Sequence, residues 1–230
     1  RNRVTRQPTI SMGLLSAITK LFSKSSAPVE PDHRISVTAQ FNHKIGPLQR
    51  GDVYEDPLTE HLEKLGAGEV DGGGTMQKKT GEIDFCDVHI LLEPSESIIP
   101  SVISFLEQRG APKGSKLTIY GTDDTQQEVP FGVREGFGVY LDGVNLPDEV
   151  YRDSTSNFVL SVLDRLLSGH GAVKSRWQGP TETALYVYGH SRKRFSQVVT
   201  SAGGSHFEVT RVPSMSRFVM LGDVRGSFSS

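Results

Sequence analysis

The chain is 230 residues long, 36% hydrophobic and 23% charged, enough to bury one large core or two cores of roughly 100 residues each. A formal net charge of −2 excludes a whole-chain bias toward nucleic acid or an anionic membrane. The single cysteine, Cys86, excludes an intramolecular disulfide and a zinc site built from thiolates.

The charge is unevenly spread: residues 1–34 carry +4, residues 35–135 carry −8 and residues 136–230 carry +2. An acidic middle favours a basic partner surface and repels phosphate backbones, so nucleic acid is disfavoured as a partner. With no apolar run of about 18 residues and no charged-then-apolar leader, the expectation is a cytoplasmic protein without a transmembrane segment.

In chain order, residues 1–34 read as an N-terminal extension. Arg1 to Ser11 is basic and polar. Met12 to Phe22 then spaces Leu14, Leu15, Ile18, Leu21 and Phe22 along one face of a short helix. That face can dock on the protein, on a partner or, more weakly, on a membrane surface. Ser23 to Asp32 reads as a linker.

Residues 35–135 form an acidic unit. Its expected elements are strand Ile35–Phe41, helix Asp56–Leu65, strands Glu69–Met76 and Glu82–Leu92, helix Ser95–Arg109 and strand Lys116–Tyr120. Leu58, Leu62 and Leu65 fall at helical spacing, as do Ile98, Val102, Phe105 and Leu106. Residues 136–212 repeat the order: strand Phe137–Leu141, helix Thr155–Leu167, strands Ala172–Trp177 and Thr183–Tyr188, helix Arg192–Ser201 and strand Phe207–Val212. Residues 213–230 are a C-terminal arm, one more strand or a docking segment, frayed from Gly226.

Local matches support an internal duplication. Gly46-Pro47-Leu48 and Asp52-Val53-Tyr54-Glu55-Asp56 find counterparts about 100 residues later in Asn145-Leu146-Pro147 and Glu149-Val150-Tyr151-Arg152-Asp153. The expected fold is therefore α+β: two tandem ferredoxin-like βαββαβ units, each an antiparallel sheet with its helices on one face.

Strand alternation sorts the two faces. Cys86, Val88, Ile90, Val139, Leu141, Leu185 and Val187 point to the cores, leaving Asp87, His89, Tyr140, Asp142, Tyr186 and Tyr188 on the faces opposite. Those faces, or the ends of the units, can pack on one another. Alternatively the six residues line a ligand cleft between the units, since tyrosine joins rigid contact area to a hydrogen-bonding tip.

Other motifs carry less. Gly72-Gly73-Gly74 lacks the context of a phosphate loop and reads as a strand bulge. Glu82 and Asp84 alternate away from Asp87 and His89, so the four cannot converge on a metal. Trp177, Arg176 and Arg152 could form a contact patch, and Arg192-Lys193-Arg194 is a basic turn. No Gly-x-Ser-x-Gly elbow and no helical histidine pair is present, so no catalytic residue, metal or cofactor is expected.

Leu141-Asp142-Gly143-Val144-Asn145-Leu146-Pro147-Asp148-Glu149-Val150-Tyr151 and Gln178-Gly179-Pro180-Thr181-Glu182-Thr183-Ala184-Leu185-Tyr186 resemble segments of small uncharacterised bacterial proteins with a duplicated ferredoxin-like fold. The resemblance spans about residues 35–212 and implies a fold, not an activity, because such folds host regulators, RNA binders, enzymes and immunity proteins. The functional expectation is a non-enzymatic, protein-binding module, in its concrete form a toxin-neutralising immunity-type inhibitor. Asp52, Glu55, Asp56, Glu60, Glu63, Glu69 and Asp71 would contact a basic partner such as a toxin domain. The alternative is a small-molecule-binding regulatory protein or enzyme using the cleft.

Overall fold

Ile35, Val37, Ala39 and Phe41 alternate with polar residues, and the strand they make, β1 (Ile35–Phe41), lies at the centre of a five-stranded sheet. This computed structural model describes residues 33–121, 123, 125–148, 151, 156–191, 193, 195, 197, 207–212 and 215–220. The expected helix at 12–22, the linker at 23–32, the tail from 226 and most of the expected helix at 192–201 lie outside the described residues. The chain divides into two compact units, Arg1–His33 and Arg34–Ser230, and both sheets belong to the second.

After β1 the chain turns through a short helix, α1 (Pro47–Arg50), a π-helical turn (Gly51–Glu55) and α2 (Asp56–Leu65). Pro47 stands in the first turn of α1, where its missing N–H costs nothing. This helical run starts nine residues before the expected helix at Asp56. Gly66 ends it in the left-handed conformation at φ 57°, its N–H bonded to Glu63 O and that of Ala67 to Leu62 O.

Strands β2 (Gly68–Gln77) and β3 (Ile83–Leu92), helix α3 (Ile98–Gln108) and strands β4 (Ser115–Tyr120) and β5 (Gln126–Phe131) complete the first layer. The sheet order is β2-β3-β1-β4-β5, with every pairing antiparallel. Register slips between Val70 and Gly73, so the glycine run is a bulge in β2. A Cβ on Gly73 would stand 2.5 Å from the backbone oxygen of Asp87 and as close to Glu55 Oε1, so a larger residue would push the strands apart.

The second sheet uses β6 (Glu135–Asp142), β7 (Gly171–Gln178), β8 (Glu182–Gly189), β9 (Phe207–Val212) and β10 (Met215–Met220), with helix α4 (Ser156–Leu166) between β6 and β7. Its order is β7-β8-β6-β10-β9. Here the C-terminal arm supplies a strand: β10 pairs with β6, and that pairing is parallel.

The protein is thus α+β with two largely antiparallel sheets and few helices. Two like four-stranded units do not describe it. The first sheet gains β5, and the two closing hairpins enter their sheets in opposite senses. In the first sheet the leading strand of the hairpin, β4, takes the place beside the central strand; in the second the trailing strand, β10, does so, which reverses its direction.

Two cores result. Tyr54, Leu58, Leu62, Val102 and Leu106 from the helical segments meet Phe41, Val88, Ile90 and Leu117 of the first sheet, all fully buried or 1% exposed. Phe41 stacks on Tyr54 at 3.9 Å and meets Phe131 of β5 edge-on at 5.7 Å. The second core joins Phe137, Val139, Leu185 and Val187 to Val159, Leu163, Leu167 and Phe195. Burying each such side chain contributes about 1.5–3 kcal/mol. No helix among the described residues is long and apolar enough to cross a membrane.

Candidate functional site

The acidic residues of the first layer fall into two groups. Asp52, Asp56, Glu60 and Glu63 are spaced i, i+4, i+8 and i+11 and are all exposed. At 100° per residue they occupy roughly 80° of arc, opposite the buried Tyr54, Leu58 and Leu62. The π-helical turn and α2 present them as one stripe on a surface held from behind by the core.

Glu55 and Glu69 are engaged elsewhere. Glu55 Oε1 accepts from Arg50 Nε at 2.7 Å, and Arg50 also donates to Thr75 Oγ1 at 2.7 Å, fastening the helical segment to β2. Glu69 pairs with Arg34 at 2.5 Å. Asp71 is exposed in the β2 bulge. Within the stripe, Lys64 approaches Glu60 at 3.4 Å, but both side chains are at least 70% exposed, so solvent screens the pair.

The six residues expected to line a cleft are not gathered into one. Asp87 and His89 stay on the open face of the first sheet, with His89 Nδ1 3.1 Å from Thr38 Oγ1 and His89 Nε2 3.8 Å from Asp87 Oδ1. His89 lies seven residues along β3 from Glu82, roughly 23 Å in an extended strand. Asp142 caps its own turn, accepting from Val144 N at 2.9 Å and from Asn145 N at 3.0 Å. These bonds hold its carboxyl below the usual range.

The three tyrosines do come together. Tyr140, Tyr186 and Tyr188 are 7%, 1% and 5% exposed and form a cluster with Ala184, against which Trp177 packs. Tyr140 and Tyr186 donate to the same oxygen, Glu82 Oε1, at 3.0 and 2.6 Å, and Lys78 Nζ binds Glu82 Oε2 at 2.8 Å. Burial opposes ionisation of Glu82, but the Lys78 and Tyr186 hydrogen bonds, the Lys78 charge and the Tyr140 hydroxyl outweigh it and hold the carboxyl below its usual range.

The rest of the cover is the segment after β1. Asn42, His43, Lys44 and Ile45 are all buried. Lys44 N donates to the Tyr188 hydroxyl at 2.8 Å, Ser175 Oγ donates to Lys44 O, and Gln49 Nε2 donates to Lys174 O at 2.9 Å. The end of the first sheet therefore closes the second face of the second sheet. Burial raises the Tyr186 and Tyr188 hydroxyls far above the ordinary phenol range, so both remain neutral donors or acceptors.

Sequence reasoning placed the tyrosines on one face but missed Glu82, His43 and Lys44 as what covers them. The signal available was a run of polar residues, Asn42-His43-Lys44, directly continuing a core strand. Trp177 belongs to this cluster, and the ring lies against Gly179 of its own turn, where a Cβ would come within 2.3 Å of it. Arg152, its other suggested neighbour, and Arg192 and Arg194 of the basic turn lie outside the described residues.

Cys86 is free and fully buried in the first core, which pushes its thiol up to about 12 and leaves it unreactive. Among the described residues no three His, Cys, Asp or Glu side chains gather as a metal site requires. Comparison with known proteins adds no relative: no family model and no curated protein matches the chain.

Proposed function

We propose that the chain is a non-enzymatic binding protein that engages a basic protein surface through the outer side of its Asp52–Glu63 helical segment. Its concrete form is an inhibitor of the immunity type, covering the basic surface with which a toxin domain would grip nucleic acid. The reading rests on one observation: four exposed carboxylates, Asp52, Asp56, Glu60 and Glu63, stand in a single stripe on a helix immobilised by its buried face. Complementary charge of this kind accelerates encounter and rejects wrong partners more than it adds affinity.

Asp71 in the β2 bulge is a further exposed carboxylate, while Glu55 and Glu69 contribute through the ion pairs that hold the surface in place. The test uses the full chain and a variant with Asp52→Lys, Asp56→Lys, Glu60→Lys and Glu63→Lys. The wild type is expected to capture a protein from its host at low salt and release it at high salt. The captured protein, once purified, should be basic at its contact surface and should not bind the variant. The folded stability of the variant should stay within roughly 1 kcal/mol, because the four positions are exposed. Equal binding by both forms, or no salt-sensitive partner, would sink the reading.

A further inference from the structure

At the junction of the two sheets a cavity of about 600 Å³ opens between the segment after β1, the end of α3 and the start of β7, within the size range of small-ligand sites. Arg109, Arg134, Lys174, His43, His190 and Tyr188 form its chemical surface, and no Asp or Glu is among the described residues that line it. In a chain of net charge −2, this is a local excess of three positive charges. None of the three cations is in an ion pair among the described residues.

Both guanidinium groups are positioned. Arg109 uses only Nε, donating to Val53 O at 3.1 Å, and keeps its terminal amino groups free of that bond. Arg134 Nη1 lies against the His190 ring, 2.7 Å from Nδ1 and in contact with Nε2 as well, which fixes its place in the cavity wall. Three like charges around one cavity repel each other, and a polyanion would relieve that repulsion. The planar guanidinium fork suits phosphate oxygens, with lysine as an added point charge.

A second observation is independent of the charges. His43 is 5% exposed, its Nδ1 lies 2.9 Å from the Tyr54 hydroxyl, and its buried Nε2 has no hydrogen-bond partner. Buried polar groups are normally paired, so an orphan nitrogen in the wall of a basic cavity needs an explanation. Where the Tyr54 hydroxyl donates to Nδ1, the remaining ring hydrogen sits on Nε2 and lacks an acceptor. Burial and the neighbouring Lys174 push the His43 pKa down to about 3, so the ring contributes a polar contact and no charge.

We infer that this cavity binds a small organic phosphate, its phosphate held by Arg109, Arg134 and Lys174 and its organic part lying toward the Tyr188 ring. The site is separate from the acidic stripe, and neither reading depends on the other.

The test is calorimetry and thermal denaturation of the full chain with pyrophosphate and with AMP, against sodium chloride at matched ionic strength. Saturable binding of either probe is expected, with a rise in melting temperature. Arg134→Gln should weaken it by roughly tenfold to a hundredfold, the usual effect of losing a charged hydrogen bond. Lys174→Glu, at an exposed position that cannot upset the core, should weaken it at least as much. No binding of either probe beyond the salt control would overturn the inference. So would binding that survives unchanged in a folded Lys174→Glu protein.

Discussion

The face of the first sheet turned away from its helices presents Ser36, Thr38, Gln40, Asp87 and His89, whereas the matching face of the second presents Tyr140, Ala184, Tyr186 and Tyr188, none more than 7% exposed. The first face needs no cover because its groups are polar and none is fully buried: Ser36 and His89 are exposed and Thr38, Gln40 and Asp87 half-buried. The second does, since three tyrosine rings offer large apolar area and three hydroxyls that need partners once buried. The first sheet supplies both needs from its end: Glu82 takes two hydroxyls, and the Lys44 backbone N–H meets the third. The composition of a sheet's second face thus decides whether it recruits a neighbour.

The largest expected effect is at Glu82. Glu82→Ala leaves the Tyr140 and Tyr186 hydroxyls buried without their acceptor and should cost about 2–5 kcal/mol by urea denaturation. Glu82→Gln, which keeps an acceptor oxygen, should recover part of that loss. A cost for Glu82→Ala below 1 kcal/mol would mean that the tyrosine face is not held in this way.

Acid should expose the junction next. His43 has a folded-state pKa of about 3 against an ordinary 6.5, so between these values the unfolded chain binds more protons. Stability from this group is therefore complete above pH 6.5 and falls as the pH drops, by about 2 kcal/mol between pH 6.5 and 5. His43→Gln should flatten that slope. Glu82 adds its own loss only lower, as pH falls below its ordinary value of 4.5 toward its depressed folded-state value. An unchanged slope in the variant would assign the acid sensitivity elsewhere.

Tyr188→Phe removes only the acceptor for Lys44 N and should cost about 1–2 kcal/mol. The smallest effect belongs to the open face: His89→Ala should change stability by no more than roughly 0.5 kcal/mol, as exposed substitutions usually do. If His89→Ala cost as much as Tyr188→Phe, the contrast between a solvated and a covered face would fail.

Much of the layout is readable in the sequence because it follows from local periods. Alternation along Phe137–Leu141 and Thr183–Tyr188 is enough to put Val139, Leu185 and Val187 on one side and the three tyrosines on the other, whatever the strands pair with. Helical spacing does the same for Leu58 and Leu62, and for the carboxylates opposite them. Strand β5 escapes such reading. Gln126-Gln127-Glu128-Val129-Pro130-Phe131 has little apolar alternation, and its proline is tolerated because β5 is an edge strand, paired only with β4.

What the sequence by itself determined is which residues share a face within each element, since this depends on neighbours two to four positions away. Only the tertiary structure decided what each face meets. Glu82 and Tyr186 are 104 positions apart, Lys44 and Tyr188 are 144, and Arg109, Arg134 and Lys174 stand in three separate segments around one cavity. No period connects such residues. They are brought together by the packing of the first sheet's end on the tyrosine face of the second and by the demand of buried hydroxyls for partners, both properties of the assembled chain.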